Sequence, residues 1–236
     1  MIAKDTSDFS NLDLHSGEVI LIDKPAGWSS FKVVYKIKQS TGVKKVGHAG
    51  TLDPLATGLL IICTGKKTKE ISIYQDYIKT YTGTITLGKT SPSMDLETEI
   101  TITSSLEGIT NEQIWESRNA FIGNIALVPP MYSAIKVNGK SLYKLAHKGI
   151  TINREPRHVT VYKFELKKIA LPDIDFEIVC SKGTYIRSIA HEFGEKLSCG
   201  ALLSSLRRTK IGEYPVEDAW DVLDFCDKFK TNTKSS

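Results

Sequence analysis

Gly47-His48-Ala49-Gly50-Thr51-Leu52-Asp53-Pro54-Leu55-Ala56-Thr57-Gly58 sets one carboxylate among three glycines, a proline and small side chains, directly before the apolar run Leu59-Leu60-Ile61-Ile62-Cys63. Proline at 54 disfavours the helical conformation at Asp53, so the carboxylate is expected on an extended or turn backbone. Gly47, Gly50 and Gly58 permit backbone angles that other residues resist, and their missing side chains let a ligand come close. A chain presents a single carboxylate in a cleft in this way. The same spacing also suits an Asp-Pro turn between a helix and a strand, and spacing alone leaves both readings open.

Outward from this stretch, Glu18 to Asp23 reads as a short strand ending at the Lys24-Pro25 turn. Ser29 or Ser30 can cap a helix through about Gln39, with Phe31, Val34 and Ile37 on one face. Residues 59–63 read as a buried strand, and Tyr81 to Leu87 alternates with Tyr81, Gly83, Ile85 and Leu87 facing one way. Residues 88–107 are polar and loop-rich. Asn111 to Phe121 reads as a helix with Ile114, Trp115 and Phe121 inward. Within 129–156, an Asn138-Gly139 turn precedes a basic helix near 141–148, where Lys140, Lys144 and Lys148 recur every four residues and would align on one face. Phe176 to Ser181 is a strand, and Tyr185 to Leu197 an amphipathic helix. Strands and helices mixed without regular βαβ alternation place the fold in the α+β class.

The 236 residues, 41% apolar and 25% charged, support a substantial core, and a net charge of +4 permits a nucleic-acid partner without demanding one. Lysines and arginines cluster at 36–38, 44–45, 66–69, 154–158 and 207–210. Cys63, Cys180, Cys199 and Cys226 form no C-x-x-C pair, so zinc and redox motifs are unsupported. No basic and apolar leader is present, and no stretch approaches the roughly 18 apolar residues that span a bilayer. A cytoplasmic protein with reduced thiols is expected. Thr64-Gly65-Lys66-Lys67-Thr68 lacks the spacing of a phosphate loop, since Leu60 stands where its first glycine belongs. His191-Glu192 lacks the second histidine of a zinc protease.

The Gly47–Gly58 stretch resembles the active-site motif of the TruB-type pseudouridine synthases, which isomerise uridine 55 in the T-arm of tRNA. Five further blocks follow in family order: Asp23-Lys24-Pro25-Ala26-Gly27-Trp28-Ser29-Ser30, Lys79-Thr80-Tyr81-Thr82-Gly83, Pro129 to Lys136 with Gly139 to Tyr143, Lys182 to Arg187, and Leu206-Arg207-Arg208-Thr209. The resemblance implies a pseudouridine synthase fold, with a mixed, largely antiparallel central sheet and flanking helices. It implies a catalytic domain over 17–225 with an RNA-binding insertion at about 129–156; composition makes 1–16 a flexible lead and 226–236 a polar tail. Only 27 residues follow Thr209, too few for the RNA-binding barrel domain that bacterial relatives often append. The expected partner is the T-arm stem-loop of tRNA, met by a monomer, with no membrane, metal or other cofactor.

The resemblance also implies roles. Asp53 is the catalytic nucleophile, or the base that generates a glycal. Tyr81 stacks on the target base, as aromatic side chains commonly do with single RNA bases. Tyr185 accepts the C5 proton, although a free phenol with a pKa near 10 is a poor base without assistance. His48 contacts RNA where the flipped uridine has left its stack, and Leu206 packs against the bound base. Thr184 suits the N-cap position, which puts Arg187 in the first helical turn, where a cation opposes the helix dipole by roughly a few tenths of a kcal/mol. A local rule broken in this way often marks function, and by resemblance Arg187 orients Asp53. The basic pairs at 44–45 and 207–208 are expected to grip RNA. The loop Ser91-Pro92-Ser93-Met94-Asp95-Leu96-Glu97 departs from the family pattern by lacking its glycine.

Two other readings compete: a tRNA-binding or chaperone protein without catalysis, and a synthase acting on another RNA. Asp53, Arg187, Tyr81 and Tyr185 together argue against the first, since binding alone needs no buried carboxylate.

Overall fold

The computed structural model describes residues 1–236 apart from 7, 10, 11, 103, 138 and 234–236. In chain order, the first half forms β1 (Val19–Lys24), α1 (Ser30–Thr41), β2 (Val46–His48), β3 (Thr57–Thr64), α2 (Ile71–Asp76), β4 (Lys79–Leu87), β5 (Lys89–Thr90), β6 (Thr101–Ile102) and α3 (Asn111–Asn119). The middle forms β7 (Gly123–Leu127), β8 (Lys136–Val137), β9 (Lys140–Ser141), α4 (Leu142–Ala146), β10 (Arg157–Ala170) and β11 (Asp173–Cys180). The chain closes with α5 (Ile186–Lys196), β12 (Ala201–Ile211), β13 (Tyr214–Pro215), β14 (Trp220–Asp221) and α6 (Val222–Thr233). The described residues of 1–81 and 206–236 make one unit and those of 82–205 a second.

In the first unit the strand order is β14-β1-β3-β12. β1 lies antiparallel to β3 and parallel to β14, while β12 runs parallel to β3. Alternate side chains point to opposite faces, and here both faces are covered. Ile20, Ile22, Leu60 and Ile62 pack with Val33, Val34 and Ile37 of α1 and Phe225 of α6, whereas Val19, Leu21, Leu59, Ile61 and Cys63 pack with Ala49, Ile211 and Val216. Two-sided burial explains why 59–63 is apolar throughout rather than alternating.

Ser29 caps α1 by accepting from the Lys32 amide at 3.1 Å. Phe31, expected inward, points into solvent, because Val33, Val34 and Ile37 already fill the buried stripe. The described residues of 1–16 differ from the flexible lead expected of them. Ile2, Phe9 and Leu14 are buried in the core beneath α1 and α6, the Ile2 amide donates to the Val19 carbonyl at 2.7 Å, and Trp220 Nε1 donates to Ala3 O at 2.6 Å. At the other end, Val222, Phe225, Cys226 and Phe229 recur at helical spacing and are buried on α6. The polar tail expected from 226 is therefore core-packed helix in its first part, its apolar stripe masked in the sequence by the intervening lysines and aspartates.

In the second unit the order is β12-β4-β11-β10-β7, with β10 antiparallel to both neighbours. Two bulges in β10 leave paired residues outside, Tyr162-Lys163 and Lys167-Lys168, so that Val161, Phe164 and Leu166 all reach the core despite the broken alternation. Phe164 meets Phe176 of β11 and Phe193 of α5, with Phe121 behind it. α3 starts with a capping box between Thr110 and Gln113. Ile114 and Phe121 turn inward as expected, but Trp115 lies outside with the Arg118 guanidinium 5.2 Å over its ring.

The insertion holds the antiparallel pair β8–β9 and α4, which is only five residues long and capped by Ser141; the turn expected at Asn138 lies outside the described residues. Lys140 belongs to β9 and Lys148 follows the helix, so the three lysines do not share a helical face, although each is exposed. The fold is α+β, a mixed and largely antiparallel sheet with flanking helices. Among the described residues no helix is long and apolar enough to cross a membrane.

Candidate active site

Asp53 occupies the loop between β2 and β3, two strands rather than a helix and a strand. The Ala56 amide donates to the Asp53 carbonyl at 3.1 Å, which closes a turn around Pro54. Three buried side chains fix this turn. Ser30 Oγ accepts from the Leu52 amide at 2.9 Å and donates to the Leu52 carbonyl at 3.2 Å. Lys24 Nζ donates to the carbonyls of Trp28, Pro25 and Pro54 at 2.6, 3.0 and 3.3 Å. Arg208, only 1% exposed, donates from Nε to Leu59 O at 2.7 Å, from Nη2 to Gly50 O at 3.1 Å and from Nη1 to Thr51 O at 3.5 Å. The loop's carbonyls thus find donors, as buried backbone must, while Asp53 itself is half-buried.

Gly58, at φ 105°, lets β12 come close. A Cβ there would stand 2.3 Å from the Arg208 carbonyl oxygen. Its missing side chain accommodates the neighbouring backbone rather than a ligand.

Burial pushes the Lys24 ammonium down to about 8, against the stabilising pull of the Asp53 carboxylate; Arg208 adds to the fall and Asp23 opposes it. His48, the last residue of β2, titrates below its usual range because burial disfavours the imidazolium and Arg208 repels it. The ring is a neutral hydrogen-bonding group at neutral pH. Tyr81 is buried in β4 and Leu206 half-buried in β12.

The expected RNA grip at 207–208 is corrected for Arg208, which is buried, while Arg207 is partly exposed and ion-paired. Arg207 forks onto Asp23, Nη2 to Oδ2 at 2.6 Å and Nη1 to Oδ1 at 3.0 Å, and Arg208 is the internal clamp just described. Sequence reading counted both as surface charge because position in a strand, not residue type, decides which arginine is swallowed.

In the second unit Tyr185 and Arg187 stand at the start of α5. Tyr185, rather than Thr184, is the N-cap, and it makes no side-chain cap bond. Thr184 Oγ1 instead donates to Ser181 O at 3.0 Å. Arg187 remains in the first turn and is 2% exposed. Its Nη1 donates to Ser93 O at 2.9 Å, its Nη2 to Tyr132 O at 2.8 Å, and its Nε lies 3.6 Å from Asp95 Oδ2. The loop 91–97 that departs from the family pattern therefore holds the guanidinium. Ser93 is braced by Thr98, with the two hydroxyls 2.8 Å apart, and the Met94 carbonyl accepts from the Leu203 amide at 3.0 Å. Tyr143 of α4 donates to Glu97 Oε1 at 2.8 Å, so the insertion is tied to the same loop. Lys24, Asp95 and Arg208 stand in stretches singled out from the sequence, but their contacts to the Asp53 loop and to Arg187 were not expected. Lys24 lies in the Asp23–Ser30 block, just beyond the apolar run Val19 to Ile22.

Residues 38–186 match the family described as TruB family pseudouridylate synthase (N terminal domain), and residues 187–236 match the tRNA pseudouridylate synthase B C-terminal domain. The tRNA pseudouridine synthase B of Flavobacterium johnsoniae is 53% identical over 213 residues, 87% of this chain and 93% of the relative. That of Phocaeicola vulgatus is 48% identical over 220 residues, 91% of this chain and 94% of the relative. In the crystal structure of a Cbf5-Nop10-Gar1 complex, one chain superposes with a TM-score of 0.73 at 29% identity, over 94% of this chain and 57% of that one. This chain thus spans little more than half of that longer protein. The chain belongs to the TruB family of pseudouridylate synthases. It is an isomerase, remaking a uridine's glycosidic bond through carbon instead of nitrogen.

Proposed function

We propose that the chain converts uridine 55 in the T-arm of tRNA to pseudouridine, acting as a monomer on the T-arm stem-loop with Asp53 as nucleophile. One observation carries the reading: a half-buried carboxylate stands on a turn whose backbone is held by three buried side chains, with an ammonium at Lys24 electrostatically coupled to it. Such fixation suits a group that must meet one atom of a substrate. Relatives matched over nine-tenths of their length and named tRNA pseudouridine synthase B support tRNA as the substrate.

The isomerisation breaks the C1′–N1 bond, turns the freed uracil, joins C5 to C1′, releases the C5 proton and leaves N1 protonated from solvent. Asp53 either adds to C1′ as the uracil leaves, or takes a ribose proton to give a glycal. Tyr81 stacks on the base, Leu206 walls it, and His48 lines the RNA side where the uridine has flipped out. Tyr185 receives the C5 proton. Arg187 orients the carboxylate, its guanidinium held by carbonyls that use two of its donors. Release of tritium from C5-labelled uridine in an unmodified tRNA transcript tests the reading: stoichiometric release from position 55 is expected, and release elsewhere or none contradicts it.

A further inference from the structure

α1 presents a face that the fold does not use. Val33, Val34 and Ile37 turn into the core. At the helical repeat, Lys38, Phe31, Tyr35, Gln39 and Lys32 fall within an arc of about 120° on the other side, and all five are exposed. Phe31 is 73% exposed and Tyr35 53%. Standing four residues apart, these two rings have Cβ atoms roughly 6 Å apart on successive turns.

The surroundings are basic. Between Lys24 and Leu52 the chain carries lysines at 32, 36, 38, 44 and 45 and no aspartate or glutamate. Among the described residues, Lys32, Lys38, Lys44 and Lys45 have no carboxylate partner. Lys32 Nζ instead sits 4.3 Å over the Trp28 ring. The face also adjoins the candidate site, since Ser30, the residue before Phe31, is bonded twice to Leu52, the residue before Asp53.

We propose that this face binds nucleotides of the substrate RNA other than the one isomerised, with bases stacked on Phe31 and Tyr35 and phosphates met by Lys32 and Lys38. The inference rests on the RNA substrate proposed above. Lysines alone would fit a duplex backbone and rings alone a protein surface. Rings interleaved with unpaired cations fit unstacked bases on a phosphate chain.

The test is affinity for an unmodified tRNA transcript across a salt series, beside single-turnover isomerisation. Replacing both rings by leucine (Phe31→Leu with Tyr35→Leu) keeps apolar area and helix propensity but removes the stacking surface. Kd should rise about tenfold or more, with the saturating rate and salt slope kept. Phe31→Trp with Tyr35→Phe should bind as wild type. Lys32→Gln with Lys38→Gln should flatten the slope of log affinity against log salt by about 1.5. Leucine and glutamine variants that bind like wild type at every salt concentration would overturn the inference. Wild-type protein that binds the transcript, weakens with the leucine pair, yet releases no tritium would refute the proposed function and leave this surface standing.

Discussion

Arg208 Nη2 donates to the carbonyl oxygen of Gly50 at 3.1 Å while its Nε donates to that of Leu59 at 2.7 Å, so one buried guanidinium holds both ends of the loop carrying Asp53. The loop gains its shape from a strand that lies some 150 residues away in sequence.

Gly58 is where that strand comes nearest. Gly58→Ala places a methyl 2.3 Å from Arg208 O and 2.7 Å from Arg208 N, both backbone atoms, at a left-handed φ. Urea denaturation should show a loss of roughly 1–3 kcal/mol or more. Wild-type stability would contradict the close approach.

Arg187→Lys should lower the saturating rate by about a hundredfold despite keeping the charge. The two carbonyls at 2.9 and 2.8 Å and the Asp95 carboxylate lie around a planar fork that an ammonium cannot reproduce. A near-normal rate would remove Arg187 from the reacting group.

Lys24 should titrate near 8 in the folded chain. The sign follows from the depressed value. The folded state resists the proton that the unfolded lysine keeps up to about 10.4, so the destabilising charge is fully present below 8 and is relieved as pH rises above it. Relative to Lys24→Met, the wild type should gain stability from about pH 8 upward. Lysine-selective NMR reads the midpoint directly, and one at the ordinary value would refute the burial account.

How much of this was legible in the sequence depends on which forces decide each element. A cap at Ser29 placed α1, and apolar spacing placed β3, α3 and α5, because both signals act locally. Phe31 and Trp115 were put on the wrong side, since an aromatic side chain does not report which stripe its neighbours have filled. Ile2, Phe9 and Leu14 are too widely spaced to show a period, so their burial is visible only once β1, α1 and α6 surround them. The motif residues around Asp53 stood out, but what Arg208 and Asp95 do was not legible. Their roles come from long-range contacts to Gly50 and Arg187 that no local pattern encodes.

The insertion lysines, exposed but not on one helical face, should act as separate phosphate contacts. Replacing Lys140, Lys144 and Lys148 by alanine should raise KM and flatten the salt slope by about 2 to 3, at roughly 0.7 to 0.9 per contact, with the saturating rate largely kept. Normal binding by this variant would place the RNA elsewhere.

Asp53→Asn tests the central claim most directly, because it removes the reacting oxygen while leaving the shape of the turn and the basic surface intact. Measured by tritium release from C5-labelled tRNA transcript beside tRNA affinity, turnover should vanish while Kd stays within several-fold of wild type. Residual turnover at the wild-type rate, or a loss of binding as deep as the loss of activity, would show that Asp53 shapes a turn and does not react.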